Sequence, residues 1–125
     1  MKFPKVKKIK KSTLRNKADS LFSKHIRSLG LCKLRGRDKI RCSQVLQCMH
    51  IITRGNTTLR YNPLNAVCGC SGHHVYYTNH PDEWVMLVQR EWPDAWKILQ
   101  AERTVKTKKT EDLYREVIER YKDNL

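Results

Sequence analysis

One run of residues constrains this chain more than any other. His50 closes an apolar stretch, Asn65 follows 15 residues later, and Cys70, His73 and His74 lie five, eight and nine residues beyond that. The segment VLQCMHII from Val45 to Ile52 reads as a strand carrying His50 near its end. TRGNTTLRYNP is rich in turn formers and polar residues and should loop out, NAVC should form a short second strand, and the chain from Cys70 should then enter a helix. A hairpin followed by a helix brings these side chains together at one junction. They are the types that metal-assisted hydrolysis of a phosphodiester requires: a base for water, a polar group to hold that base, and an imidazole for a cation.

Around this run the remaining elements are expected to be helical. Ser12 can cap a helix that runs to Gly30, with Leu14, Ala18, Leu21, Phe22, Ile26 and Leu29 on one stripe and His25 at its border as an ordinary packing or surface residue. Residues 31–43 read as an irregular basic loop. A helix should start at His80-Pro81-Asp82-Glu83 and pack through Trp84, Val85, Leu87, Val88 and Trp92. Pro93 should break it, and a helix with Trp96, Ile98 and Leu99 should follow. A last helix from near Thr110 should pack Leu113, Val117, Ile118 and Tyr121, and the Trp and Tyr rings are expected in the core. The fold class is therefore α+β. The expected organisation is a flexible basic arm, 1–11, and one domain, 12–125, divided into an N-terminal helix (12–30), a hairpin–helix core (31–80) and C-terminal helices (81–125).

Charge and cysteine usage narrow the function. The net charge is +14, and residues 1–41 carry 15 Lys and Arg against only Asp19 and Asp38. A basic arm before a nearly neutral body suits a polyanion, with nucleic acid preferred over an anionic membrane because bulky apolar residues are few. Lys7, Lys8, Lys10 and Lys11 are the candidate backbone contacts of that arm. No apolar run reaches the roughly 20 residues of a membrane span, and no signal-peptide core follows the basic start, so a cytoplasmic location with reduced thiols is expected. Five cysteines, an odd number, speak for metal ligation by some of them rather than a complete disulfide framework.

At these residues the chain resembles the HNH, or ββα-metal, endonucleases. That family places a histidine at the end of its first strand, an asparagine opening the second, and Cys-x-x-Cys-His entering the helix; here Cys70, His73 and His74 keep the spacing with one Cys exchanged for His. KADSLFSKHIR, LQCMHIITR, LRYNPLNAV and HVYYTNHPDEW look like phage-type members, including the NinG-type recombination nucleases, over roughly residues 16–90. The resemblance implies a DNA phosphodiester hydrolase with two metals. A structural zinc would be held by Cys32, Cys42, Cys70 and His73. Cys42 stands in because Arg35 occupies the position of the usual second cysteine, while Cys48 and Cys68 compete for that place or serve as small buried hydrophobes. His50 would be the general base, Asn65 would hold the hairpin and the orientation of His50, and His74 would bind a catalytic Mg²⁺ or Mn²⁺. Many relatives carry an Asp before the base; Met49 stands there and cannot ligate. His80 is a conceivable helper but reads better as a helix-start residue. Arg54 and Arg60 could clamp phosphate bidentately. Cutting both strands of a duplex or a branched recombination intermediate would suit a homodimer. The rival readings are a non-catalytic zinc-stapled DNA-binding module and an RNA-directed relative.

Overall fold

The structure, a computed structural model, describes residues 8–124; Lys7 and the rest of the first seven residues lie outside them. Among the described residues the chain is α+β, with five α-helices and a two-stranded antiparallel sheet. The order is α1 (Lys11–Arg27), β1 (Leu46–His50), β2 (Ala66–Cys70), α2 (Ser71–Asn79), α3 (Pro81–Glu91), α4 (Pro93–Glu102) and α5 (Glu111–Tyr121), with short 3₁₀ turns at Pro63–Asn65 and Lys122–Asn124. No helix of the described residues is long and apolar enough to cross a membrane.

Packing, not capping, holds α1. Its N-cap is Lys10 with no side-chain hydrogen bond, and its first turn has no acid. Ser12 therefore lies inside the helix rather than capping it, and lysines sit at the positive end of the dipole, where they are unfavourable. Burial offsets this: Leu14, Ala18, Leu21, Phe22 and Ile26 form one stripe against Tyr61, Cys68, Tyr114, Val117 and Tyr121. The helix ends at Arg27, earlier than the stripe suggests, because Gly30 turns the chain with φ +82°; Leu29 is consequently 56% exposed and outside the core.

The hairpin is covered on both faces. Leu46, Cys48 and Ala66 meet the α1–α5 layer, while Met49 and Val67 alternate to the other side and join Leu34, Tyr77, Trp84, Leu87 and Val88. Register pairs Cys48 with Cys68 and His50 with Ala66. Gly69 leaves room in this layer for the Met49 sulfur, which would lie 2.2 Å from a Cβ at that position and would have to shift. A third cluster, Ile52, Leu59 and Leu99, seats the long loop between the strands on α4.

β1 is shorter than its apolar run: Val45 is 60% exposed, and Ile51 and Ile52 leave the strand to enter the loop. Proline at the first turn of α3 and of α4 sets both starts, and Thr110 caps α5 by accepting from the Leu113 amide. Two packing expectations fail: Val85 and Ile98 are 37% and 46% exposed. Leu113 packs against the core from its edge, and Tyr114 beside it is the more deeply buried residue of α5.

Candidate functional site

Two adjoining centres form where the hairpin meets α2. The first gathers sulfur. After α1 the chain makes a tight knuckle, with the Arg35 amide donating to the Cys32 carbonyl and Gly36 at φ +79°. Leu34, fully buried, anchors this knuckle in the core, and the Lys33 amide donates to the Cys68 carbonyl at 2.8 Å, tying it to β2. The return segment is fixed to the start of α2 by the Ser43 hydroxyl, which lies 2.6 Å from the Ser71 hydroxyl and accepts from the Gly72 amide.

These ties bring one ligand atom each from Cys32, Cys42, Cys70 and His73 within 4.8 Å of one another. The His73 Nδ1 lies 3.7 Å from the sulfurs of Cys32 and Cys42 and 3.0 Å from that of Cys70. A tetrahedral zinc with ordinary bond lengths has S···N edges of about 3.6 Å, so the donor set and the two 3.7 Å distances fit that metal, while the Cys70–His73 edge is shorter and would open on binding it. Burial works against an ionised Cys70, but the amide and ring of His73 and the amide of Ser43 bring its thiol down to about 6. Burial and the neighbouring Cys32 and Cys70 sulfurs push Cys42 up to about 11. Crowded thiolates repel one another, and a soft divalent cation is what relieves that repulsion. Asp38 completes the centre. Its Oδ1 accepts from His73 Nε2 at 2.9 Å, which leaves the Nδ1 lone pair toward the sulfurs, and Tyr77 and the Ile40 amide hold the carboxylate.

The structure thus brings together all four residues expected to ligate zinc, with Cys42 in place of a second knuckle cysteine; Arg35 is exposed. Cys48 and Cys68 stand apart from the set, opposite each other on the hairpin, and burial raises both thiols, Cys48 to about 11.

The second centre is a cleft of about 580 Å³ between α1, β1, the inter-strand loop and the start of α2. His50 and His74 line it with Arg27, Arg54, Arg60 and Asp19. His50 Nε2 lies 3.0 Å from the Arg60 carbonyl, which can only accept, so this nitrogen carries the proton and Nδ1 keeps its lone pair. Burial, with Arg54 and Arg60 nearby, depresses the His50 pKa below 6.5. His74 is arranged the opposite way round: Nδ1 meets the Gln47 Oε1 at 2.6 Å, which leaves the Nε2 lone pair available for a cation. Burial lowers its pKa as well.

Asn65 is fully buried, and its side-chain hydrogen bonds go to backbone groups rather than to the His50 ring. Its Oδ1 accepts from the Ile52 amide at 2.7 Å and its Nδ2 donates to the carbonyls of Ile52 and Leu59, while its own carbonyl accepts from the Ile51 amide. It fixes the backbone that leaves β1 rather than the imidazole itself. Met49, where an acid would have helped, is 2% exposed in the core, and its strand position faces away from that of His50. Arg54 is 60% exposed and pairs loosely with Asp19, its Nη1 3.9 Å from the carboxylate. Arg60 is committed: Nε and Nη2 bind Asp19 at 2.8 and 2.6 Å, and Nη1 donates to the Arg54 carbonyl. The edge expected to clamp phosphate therefore holds Asp19. His80 donates to the Tyr76 carbonyl at the α2–α3 junction and lines neither centre. Lys8, Lys10 and Lys11 are exposed at the start of α1.

Asp19, Asp38, Gln47 and Ser43 were missed as site residues. One signal was available: Asp19 and Asp38 are the two acids in the first 41 residues, and each is bonded to a site residue. Comparison of the chain with family models, with curated proteins and with solved structures found no match.

Proposed function

We propose that this chain is a metal-dependent endonuclease of the HNH, or ββα-metal, type that hydrolyses phosphodiester bonds in DNA. The observation that carries this reading is the pair of complementary tautomers in one cationic cleft. His50 keeps Nδ1 unprotonated for a water proton, and His74 keeps Nε2 unprotonated for a cation. His50 takes the proton as the water oxygen bonds to phosphorus and the bond to the leaving oxygen breaks. Arg54 and Arg27 draw the phosphate into the cleft and offset its charge. A Mg²⁺ or Mn²⁺ on His74 would supply further neutralisation of the phosphoryl and leaving oxygens. Cys32, Cys42, Cys70 and His73 would hold a zinc, which would keep the hairpin–helix junction rigid so that both imidazoles hold their placement. The exposed lysines of α1 give a backbone grip without base readout. A branched recombination intermediate and a dimer that cuts paired strands follow from the resemblance to NinG-type nucleases and belong to this proposal.

A second reading has its own support. The Asp19 carboxylate in the cleft is already bonded to Arg60 and Tyr61, which leaves His74 as the one protein donor named for the catalytic cation. A zinc-stapled DNA-binding module without activity would look the same. Plasmid nicking separates the two: the nuclease converts supercoiled DNA to nicked or linear forms with Mg²⁺ or Mn²⁺, and His50→Ala does not. A panel of linear, single-stranded, flapped and four-way DNA, with structured RNA as competitor, then identifies the substrate class.

A further inference from the structure

We infer that Asp19, on α1, is a positioning residue for the base His50 and acts through Arg60. The inference rests on the nuclease reading for the role of His50, but the geometry that carries it is independent. The Asp19 carboxylate accepts three hydrogen bonds: from Arg60 Nε at 2.8 Å, from Arg60 Nη2 at 2.6 Å and from the Tyr61 hydroxyl at 2.8 Å. The guanidinium so held reaches back with Nη1 to the Arg54 carbonyl at 3.0 Å. One side chain of α1 thereby pins both ends of the stretch from Arg54 to Arg60. The carbonyl of that same Arg60 accepts the His50 Nε2 proton at 3.0 Å. Asp19 fixes the arginine, the arginine's backbone fixes the tautomer, and the tautomer leaves Nδ1 unprotonated.

A purely architectural role for this ion pair is poorly motivated. The loop has other anchors, in the three bonds of Asn65 and the fully buried Leu59. Asp19 and Arg60 retain only 17% and 15% side-chain exposure, so their bidentate pair also holds the loop against α1, and the positioning role comes in addition to that. Asp19 is not placed to attract substrate, since an acid in a cleft with Arg27, Arg54 and Arg60 weakens the pull on phosphate. A residue that opposes binding while ordering the base is better explained by turnover than by affinity.

The charged groups facing His50 are Arg54 and Arg60 from the loop and Asp19 from α1, with the apolar Phe22 ring 5.8 Å away and His74 across the cleft. Asp19→Asn leaves the two arginines uncompensated, so His50 should hold its proton less well while its ring loses its fixed acceptor.

The test is nitrogen NMR of the His50 ring in the zinc-loaded full chain, with Asp19→Asn and Asp19→Glu beside the unsubstituted protein. The unsubstituted protein should show the Nε2–H tautomer. Asp19→Asn should show mixed tautomers and a His50 midpoint moved to lower pH, and Asp19→Glu should restore most of the single-tautomer signature. In nicking assays Asp19→Asn should lower kcat about 10- to 100-fold, the scale of a small misplacement of a reacting group. KM for DNA should be unchanged or lower, and the acid limb of the rate should move to lower pH. An unaltered tautomer and midpoint in Asp19→Asn would overturn the relay, as would a kcat loss matched by an equal loss of folded protein. If the unsubstituted protein cleaves no DNA, the nuclease reading alone fails, and the NMR result still decides the relay.

Discussion

At the scale of single residues the proposed function divides the candidate site into groups that would react and groups that hold. His50→Ala should lower nicking by roughly 10²- to 10⁴-fold, the usual contribution of a positioned base, with circular dichroism and zinc content unchanged. The pH dependence follows from its depressed pKa. His50 stays unprotonated below the ordinary histidine midpoint of 6.5, so the acid limb of activity should lie below pH 6.5. Stability should follow the same sign: the neutral ring is favoured in the folded state, its contribution is complete above 6.5, and it declines as pH falls below that value toward the folded midpoint. Asn65→Ala is a different kind of loss. It leaves the Ile52 amide, the Ile52 carbonyl and the Leu59 carbonyl without their buried partner, and should cost about 2–4 kcal/mol in urea unfolding. The spacing from His50 through Asn65 to His74 made these residues legible in the sequence. The hydrogen-bond partners of the histidines were not, because His50 meets the backbone carbonyl of Arg60 and His74 meets Gln47 from another element, and no periodicity marks either contact.

At the scale of elements the Cys32, Cys42, Cys70 and His73 cluster joins the knuckle after α1 to the start of α2, and a zinc bound there would staple that junction. Metal analysis of protein purified without added zinc should give about one zinc per chain, lost in Cys70→Ser; a zinc-free, fully folded protein would contradict the staple. Asp38→Ala should weaken zinc binding by roughly 10- to 100-fold, as removal of a carboxylate behind a metal-bound histidine does, measured by competition with a chelator. Helix and strand positions were readable wherever a pattern was long or a proline set the start, as in α1, α3 and α4. Errors collected at boundaries and at single faces. The apolar run of β1 continues through Ile51 and Ile52, yet the Asn65 side chain takes the Ile52 amide and ends the strand at His50. Tyr114 is buried more deeply than Leu113 in the α5 interface because that interface is built of edge-on rings, Phe22 with Tyr121 and Tyr61 with Tyr114. Such complementarity is a property of the assembled layer and leaves no mark in the pattern of α5 alone.

At the scale of the molecule the charge distribution and the cleft belong to one account. The basic residues concentrated in the first 41 positions, among them the exposed Lys8, Lys10 and Lys11, accompany a cleft that also carries Arg27 and Arg54. If this surface neutralises on the order of six phosphates, affinity for duplex DNA should fall by about three orders of magnitude between 50 and 200 mM salt. A shallow salt slope in fluorescence anisotropy would argue against the arm and α1 as the grip. The basic N-terminal run is a matter of composition, which does not decide between binding and cutting; the arrangement of the cleft bears on that choice. The direct measurement is cleavage of supercoiled plasmid by the full chain across Mg²⁺, Mn²⁺ and Ni²⁺, with His50→Ala alongside. The account predicts metal-dependent nicking or linearisation by the unsubstituted protein and none by the variant at equal zinc content. Intact plasmid with both proteins under every metal, or equal cleavage by both, would contradict it.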